Sequence, residues 1–131
     1  MKSLFLSLFC LLSVVSKAQN NIVIHLDGQT TDISGQTHTM LAPSAASFDV
    51  PFDVVNNTGS AVQWRITRKQ LNIPTGWTDA LCWGHSTDPF GGTCYSSGQM
   101  NTNPWTTPGG AGVLFDILPG EYGKMKPDFN P

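Results

Sequence analysis

The chain has 131 residues, 13 of them glycine and 9 proline, with only 12% charged residues and a formal net charge of −2. This length accommodates one domain, and a mix so poor in charge and rich in turn formers favours short strands over helices. No basic run is present to neutralise phosphates, so nucleic acid is excluded as a partner.

Residues 1–18 read as a secretory signal peptide. Lys2 supplies a positive n-region, and Leu4 to Val15 form an apolar h-region of about a dozen residues. Ser16-Lys17-Ala18 puts small residues at a cleavage site before Gln19. The apolar run falls short of the roughly 20 residues a spanning helix needs, and no later run approaches it. No membrane span is therefore expected after cleavage. Cys10 lies inside the h-region and not after a small residue at its end, which speaks against a lipid anchor. Of seven basic residues, cleavage removes Lys2 and Lys17, leaving five against nine acidic ones. It also leaves two cysteines, Cys82 and Cys94, in an oxidising compartment, where a disulfide is their expected state. The mature chain, residues 19–131, is expected as a single domain, secreted or at the cell surface.

Asn21 to Leu26 is the first strand expected, with Ile22, Ile24 and Leu26 alternating and Asp27-Gly28 turning the chain. Thr30 to Gly35 is polar loop, and Gln36 to Ala42 is at best a weak strand. Ser47 to Val55 has the clearest period of two: Phe48, Val50, Phe52 and Val54 on one face, Asp49, Pro51 and Asp53 on the other. Pro51 cannot donate to a ladder, which predicts an edge or a bulge there. Residues 56–60, Asn-Asn-Thr-Gly-Ser, form a turn signal that also matches a glycosylation sequon at Asn56. Ala61 to Arg68 alternates again through Val62, Trp64 and Ile66. These two strands are expected to pair as a hairpin with seven apolar side chains on one face. Burial at about 1.5–3 kcal/mol each makes that face the largest stabilising contribution, and a second sheet must cover it.

The stretch from Ile73 to Ser97 gathers rare residues, with Trp77, Trp83, Cys82 and Cys94, and reads as a disulfide-closed loop. A loop of about a dozen residues is worth roughly 3 kcal/mol in the chain-entropy model. Ser96 to Gly112 is loop with Trp105 its large residue, Ala111 to Leu118 a late strand, and Pro119-Gly120 a turn. Glu121 to Pro131 shows no apolar period and reads as loop. The fold class expected is all-β: an antiparallel sandwich, with fewer confident strands than the usual seven or so.

The order Val-Val-Asn-Asn-Thr-Gly, Val-Gln-Trp-Arg-Ile-Thr-Arg, Pro-Thr-Gly-Trp, a Cys, Cys-Tyr and a late Pro-Gly turn resembles an Ig-like β-sandwich domain of secreted Bacteroidetes-type proteins. Many of those proteins carry a type IX secretion sorting domain. The matching residues are Asn56, Asn57, Trp64, Pro74, Gly76, Trp77, Cys82, Cys94 and Tyr95, across roughly residues 45–131. The insert from Trp83 to Thr93 is longer than that pattern, and two final strands and the sorting domain are missing from it, which implies a truncated product or a piece of a longer chain. The resemblance implies an Ig-like fold and no activity that attaches to particular residues.

Chemistry is sparse. Cys82, His85, Cys94 and Met100, completed by His25 or His38, can be drawn as metal ligands. Zinc needs about four converging ligands and blue copper two histidines, a cysteine and a distant Met. Outside the cell a disulfide is the better use of two cysteines, so no metal and no cofactor is expected. Ser86, Ser96 and Ser97 lack a nucleophile frame. Cys94 with His85 imitates a thiol–imidazole pair, but a bonded Cys cannot attack. Asp79 and Asp88 imitate a glycosidase carboxylate pair, but Asp88 precedes Pro89 and reads as a turn former. No catalytic residue is expected.

Trp64 alternates with core residues. Trp77, Trp83, Tyr95 and Trp105 sit in Gly/Pro-rich segments, where they either stack on a ligand such as a sugar or pack inward on the disulfide. The function expected is a non-catalytic secreted or surface Ig-like structural or adhesion module, whose partner is an extracellular glycan or a surface protein. The alternative is a carbohydrate-binding module using those aromatics. A small secreted metalloprotein or hydrolase is the weaker alternative.

Overall fold

The computed structural model describes residues 21–42 and 46–131, with Phe90 by its backbone only. The signal peptide expected at residues 1–18 lies outside the described residues. The strands are β1 (Ile22–Leu26), β2 (Phe48–Asp49), β3 (Phe52–Asn56), β4 (Thr67–Arg68), β5 (Thr78–His85), β6 (Thr93–Tyr95), β7 (Trp105–Thr106) and β8 (Tyr122–Asn130). The helical element among the described residues is a 3-10 turn at Pro89–Gly91. The main sheet has the order β1-β3-β8-β5-β6, with β2 also on β8, and β4 pairs with β7 in a second, two-stranded sheet. Every ladder is antiparallel. The all-β expectation therefore holds.

Two expected elements change identity. The segment expected as a terminal loop is β8, which lies between β3 and β5 at the centre of the main sheet. Its pattern is a strand pattern in disguise: Lys124, Lys126 and Asp128 share one face, while Gly123, Met125, Pro127 and Phe129 share the other. Glycine and proline hide the apolar side. The apolar volume at Gly123 comes instead from Trp83, whose six-membered ring occupies the space a Cβ there would need. Likewise, the first half of the Ile73–Ser97 stretch is the eight-residue strand β5 and not loop.

The strand expected over Ser47 to Val55 runs in a single register against β8, Phe48 opposite Phe129 and Phe52 opposite Met125. The ladder is interrupted between them because neither Pro51 nor Pro127 has an N–H to give. Val50 N still donates to Pro127 O at 2.9 Å, and Pro51 O accepts from Asp27 N at 3.0 Å. This strand does not pair with residues 61–68, so the expected hairpin is absent. Instead β1 pairs with β3, and residues 61–68 cross to the other layer. Asn56, in the expected turn, is fully buried. Its amide donates to Ser60 O and Ile117 O, both at 2.8 Å, and its oxygen accepts from Thr58 N and Thr58 Oγ1. All four of its hydrogen-bonding positions are thereby used, and none is left exposed for glycosylation.

Residues paired across a ladder share a face. Val54, Leu81, Trp83 and Met125 thus look the same way, toward Val62, Trp64, Ile66, Phe115 and Ile117 of the second layer. That layer is mostly extended chain. Burial alternates along residues 61–70, as expected, but ladder bonds form only locally. Val62 and Ile117 exchange two backbone bonds, at 3.1 and 2.9 Å. Ile66 N donates to Thr107 Oγ1 at 3.1 Å, while Thr107 N donates to Ile66 O at 2.9 Å. The late strand expected over Ala111 to Leu118 shrinks to the Ile117 bridge, because Val113 N and Leu114 N turn back onto Gly110 O. Residues 36–42 form no strand.

Candidate functional site

Cys82 and Cys94 are opposite one another on β5 and β6 and are joined by a disulfide. The bond staples the two strands of a hairpin across its outer face. Residues 86–92 fold back over that face. Gly84 and Gly92 meet backbone to backbone with no room for a Cβ on either, and Gly92 adopts φ +83°. The disulfide expectation holds, with both cysteines inside strands.

The four candidate ligand-binding aromatics separate. Trp83 is buried on the inner face, its ring 5.3 Å from that of Phe115, and its indole N–H has no hydrogen-bond partner among the described residues. Tyr95 is buried against Trp105 with ring centres 4.9 Å apart, and both pack on the Leu81–Met100 cluster. These three rings fill the space between the layers. Trp77 does not join them. It follows a tight turn in which its own N–H donates to Pro74 O at 3.1 Å and Gly76 has φ +89°. Its ring is half-buried and meets Phe48 edge-on at 6.2 Å, and Phe48 stacks on Phe129 at 5.2 Å.

Trp77 is a wall of two hollows. One is an apolar groove of about 440 Å³ with Phe48, Val50, Phe52, Ile73 and Phe129. The other is a polar cleft of about 280 Å³ with Arg68, Gln70, Asp79, Ser97, Asn101 and Asn103. A third hollow, about 350 Å³, lies between residues 66–73 and the sheet. Ile73 borders all three. Arg68 holds Asp79 by two bonds, Nε to Oδ2 at 2.6 Å and a terminal nitrogen to Oδ1 at 2.5 Å. Asn103 clamps the backbone of Gln70, accepting from its N–H at 2.9 Å and donating to its carbonyl at 2.6 Å.

No family model, curated protein or solved structure matches this chain. What it can do is therefore read from its own groups. The cysteines are consumed by the disulfide, so the thiol–imidazole pair does not exist. His85 Nδ1 lies 2.8 Å from Thr87 Oγ1 and Nε2 lies 3.3 Å from Glu121. The Leu118 N–H, and after it His85, hold the Glu121 carboxyl below the usual range. Asp88 accepts from His85 N at 2.8 Å, the turn-forming role expected of it. Asp79 is engaged by Arg68. Among the described residues, no group of three or more His, Cys, Asp or Glu is placed to hold a metal ion, and no helix is long and apolar enough to cross a membrane.

The outer face of the main sheet is charged. Lys124 pairs with Asp27 at 2.9 Å, and Lys126 lies 3.6 Å from both Asp49 and Asp128. Asp53 is 9% exposed within this array, and its Oδ1 has no hydrogen-bond partner among the described residues. Burial and then the Asp27 charge push its carboxyl above the ordinary range, against Lys124, the Gly28 N–H and His25.

Trp77 stands out in the sequence as a rare residue, but the rings that frame it do not. Phe48 lies on the strand face its alternation predicts and there lines the apolar groove. Phe129 lay in the segment read as loop. The polar residues of the cleft, Gln70 and Asn101 to Asn103, carried no spacing that would single them out, because they meet across a separation of about thirty positions.

Proposed function

We propose that this chain is an exported, non-catalytic Ig-like β-sandwich module with a structural or adhesive role at the cell surface or outside the cell. The observation that carries the reading is the Cys82–Cys94 disulfide, formed inside a two-layer antiparallel β fold. Structural disulfides persist in oxidising compartments and are rare in reducing ones. The signal-peptide pattern of residues 1–18 supports the same compartment. The Ig-like assignment rests on the order of residues from Asn56 to Tyr95 and on the two-layer architecture. The aromatics spent on packing support a scaffold.

Cell fractionation with intact-mass measurement tests this reading. The chain should leave the cytoplasm, begin at Gln19, and gain two daltons on reduction. A cytoplasmic chain with Met1 retained and both thiols free would refute it.

The carbohydrate-binding alternative keeps one specific support, the placement of Trp77 against two hollows. Trp83, Tyr95 and Trp105, packed between the layers, do not contribute to it.

A further inference from the structure

We propose that Trp77 and the polar cleft beside it form a binding site for a neutral glycan. The inference rests on the reading of the chain as a surface module and assigns that module a ligand class.

The first argument is rigidity. A ring that serves as a stacking platform must be held in place before the ligand arrives, or ordering it consumes the binding energy. Trp77 is fixed by the Pro74–Trp77 turn and by its edge-on contact with Phe48, itself stacked on Phe129. The opposite wall is fixed as well, because Asn103 uses both ends of its amide on the Gln70 backbone.

The second argument is charge. The two charged side chains of the cleft, Arg68 and Asp79, neutralise one another through a two-bond pair that is largely shielded from solvent. A carboxylate or phosphate ligand would have to break that pair to find a cation, and an ammonium ligand to find an anion. The remaining polar groups are uncharged. The side chains of Gln70, Ser97 and Asn101 make no hydrogen bond among the described residues. Amides and hydroxyls both donate and accept, which matches the hydroxyl groups of a sugar. The aromatic wall matches the C–H face of a pyranose ring, and an aromatic with one apolar side and one wet side suits such a boundary.

The third argument is size. Hollows of about 280 and 440 Å³ on the two sides of Trp77 suit one or two sugar units each.

The test uses the purified, disulfide-bonded chain against a panel of neutral polysaccharides (glucans, mannans, galactans, xylans, N-acetylglucosamine polymers) and acidic ones (uronate-rich, sulfated). Binding to at least one neutral member, weakened roughly tenfold or more by Trp77→Ala and also weakened by Asn101→Ala, is the expected result. Thr31→Ala, at an exposed residue that lines neither hollow, should bind as the unaltered chain does. Asn101 is exposed and unbonded, so its variant reports on the cleft even if Trp77→Ala fails to fold. No binding to any neutral glycan overturns the proposal. So does preference for acidic members, or binding that neither variant weakens. Export and the two-dalton shift are read separately, so a failure here leaves the exported scaffold standing.

Discussion

Two buried polar residues of β3, Asp53 and Asn56, show opposite solutions to the same cost. Asn56 satisfies every donor and acceptor it has, and two of its bonds reach carbonyls on different segments, Ser60 and Ile117. A buried amide so engaged fixes the crossing from one layer to the other. Asp53 is less well served, with one oxygen unbonded among the described residues and its carboxyl pushed above the ordinary value of 3.8. A carboxyl whose folded pKa exceeds its unfolded one binds its proton more tightly when folded. Its stabilising contribution is therefore present below 3.8 and lost as pH rises through the folded value. Asp53→Asn keeps an acceptor for the Gly28 N–H and cannot ionise. In thermal melts across acid to neutral pH, its stability relative to the unaltered chain should be constant below 3.8, rise above it, and then level off. A difference that stays flat across the whole range would show that the Asp53 charge is fully compensated by Lys124 and His25.

At the level of elements, β8 depends on an exchange of volume between strands. Gly123 presents no side chain, and the Trp83 ring of the neighbouring strand lies over its Cα. Gly123→Ala should therefore destabilise the fold by about 1–3 kcal/mol or more, the usual cost of overpacking. Gly120→Ala, where nothing lies within 4 Å, should instead cost only its positive-φ strain. Equal midpoints for the two variants in denaturant unfolding would remove the Trp83–Gly123 contact as a determinant. The same exchange explains what was legible in the sequence. Periodicity found β1 and the strand from Phe48 onward, because their inner positions carry large apolar side chains of their own. It also found the in-and-out alternation of residues 61–68. It missed β8, whose inner positions include Gly123 and Pro127. It missed β5 because the inward-facing ends of that strand are Asp79 and His85, which become tolerable only once Arg68 and Glu121 reach them. Glu121 lies 36 positions from His85, and Arg68 lies on another strand than Asp79, so spacing along the sequence marks neither partner. The disulfide was legible from counting alone, but its setting between two paired strands was not. Of the candidate site, Trp77 was visible as a rare residue. Its separation from Trp83, Tyr95 and Trp105 depends on which rings the second layer covers.

On the scale of the molecule, the two layers are not equals. The main sheet is laddered through six strands, whereas the second layer holds together by the short β4–β7 pair, the Val62–Ile117 bridge and side-chain bonds such as Arg65 Nε to Thr107 O at 2.6 Å. Elements with few backbone bonds of their own open at lower free energy than the ladder they cover. Amide hydrogen exchange should accordingly be slowest in β3, β5 and β8, and faster at 61–68 and 105–117 apart from the bonded Val62, Ile66, Thr107 and Ile117 amides. Uniform protection across both layers would mean that the molecule opens only as a whole. The laddered sheet carries Phe48 and Phe129, and beside the second layer Gln70 and Asn103 hold each other by two hydrogen bonds. The proposed glycan site straddles the two.

The position of β8 has a further consequence, for the order in which the protein can be made. β3 and β5 are both synthesised before the strand that joins them. Until residues 122–130 emerge, they face each other across a gap one strand wide, about 10 Å from neighbour to neighbour. Nothing earlier in the described chain fills that slot. The β1–β3 and β5–β6 pairs can each form without β8, but they cannot be joined into one sheet until it is in place between them.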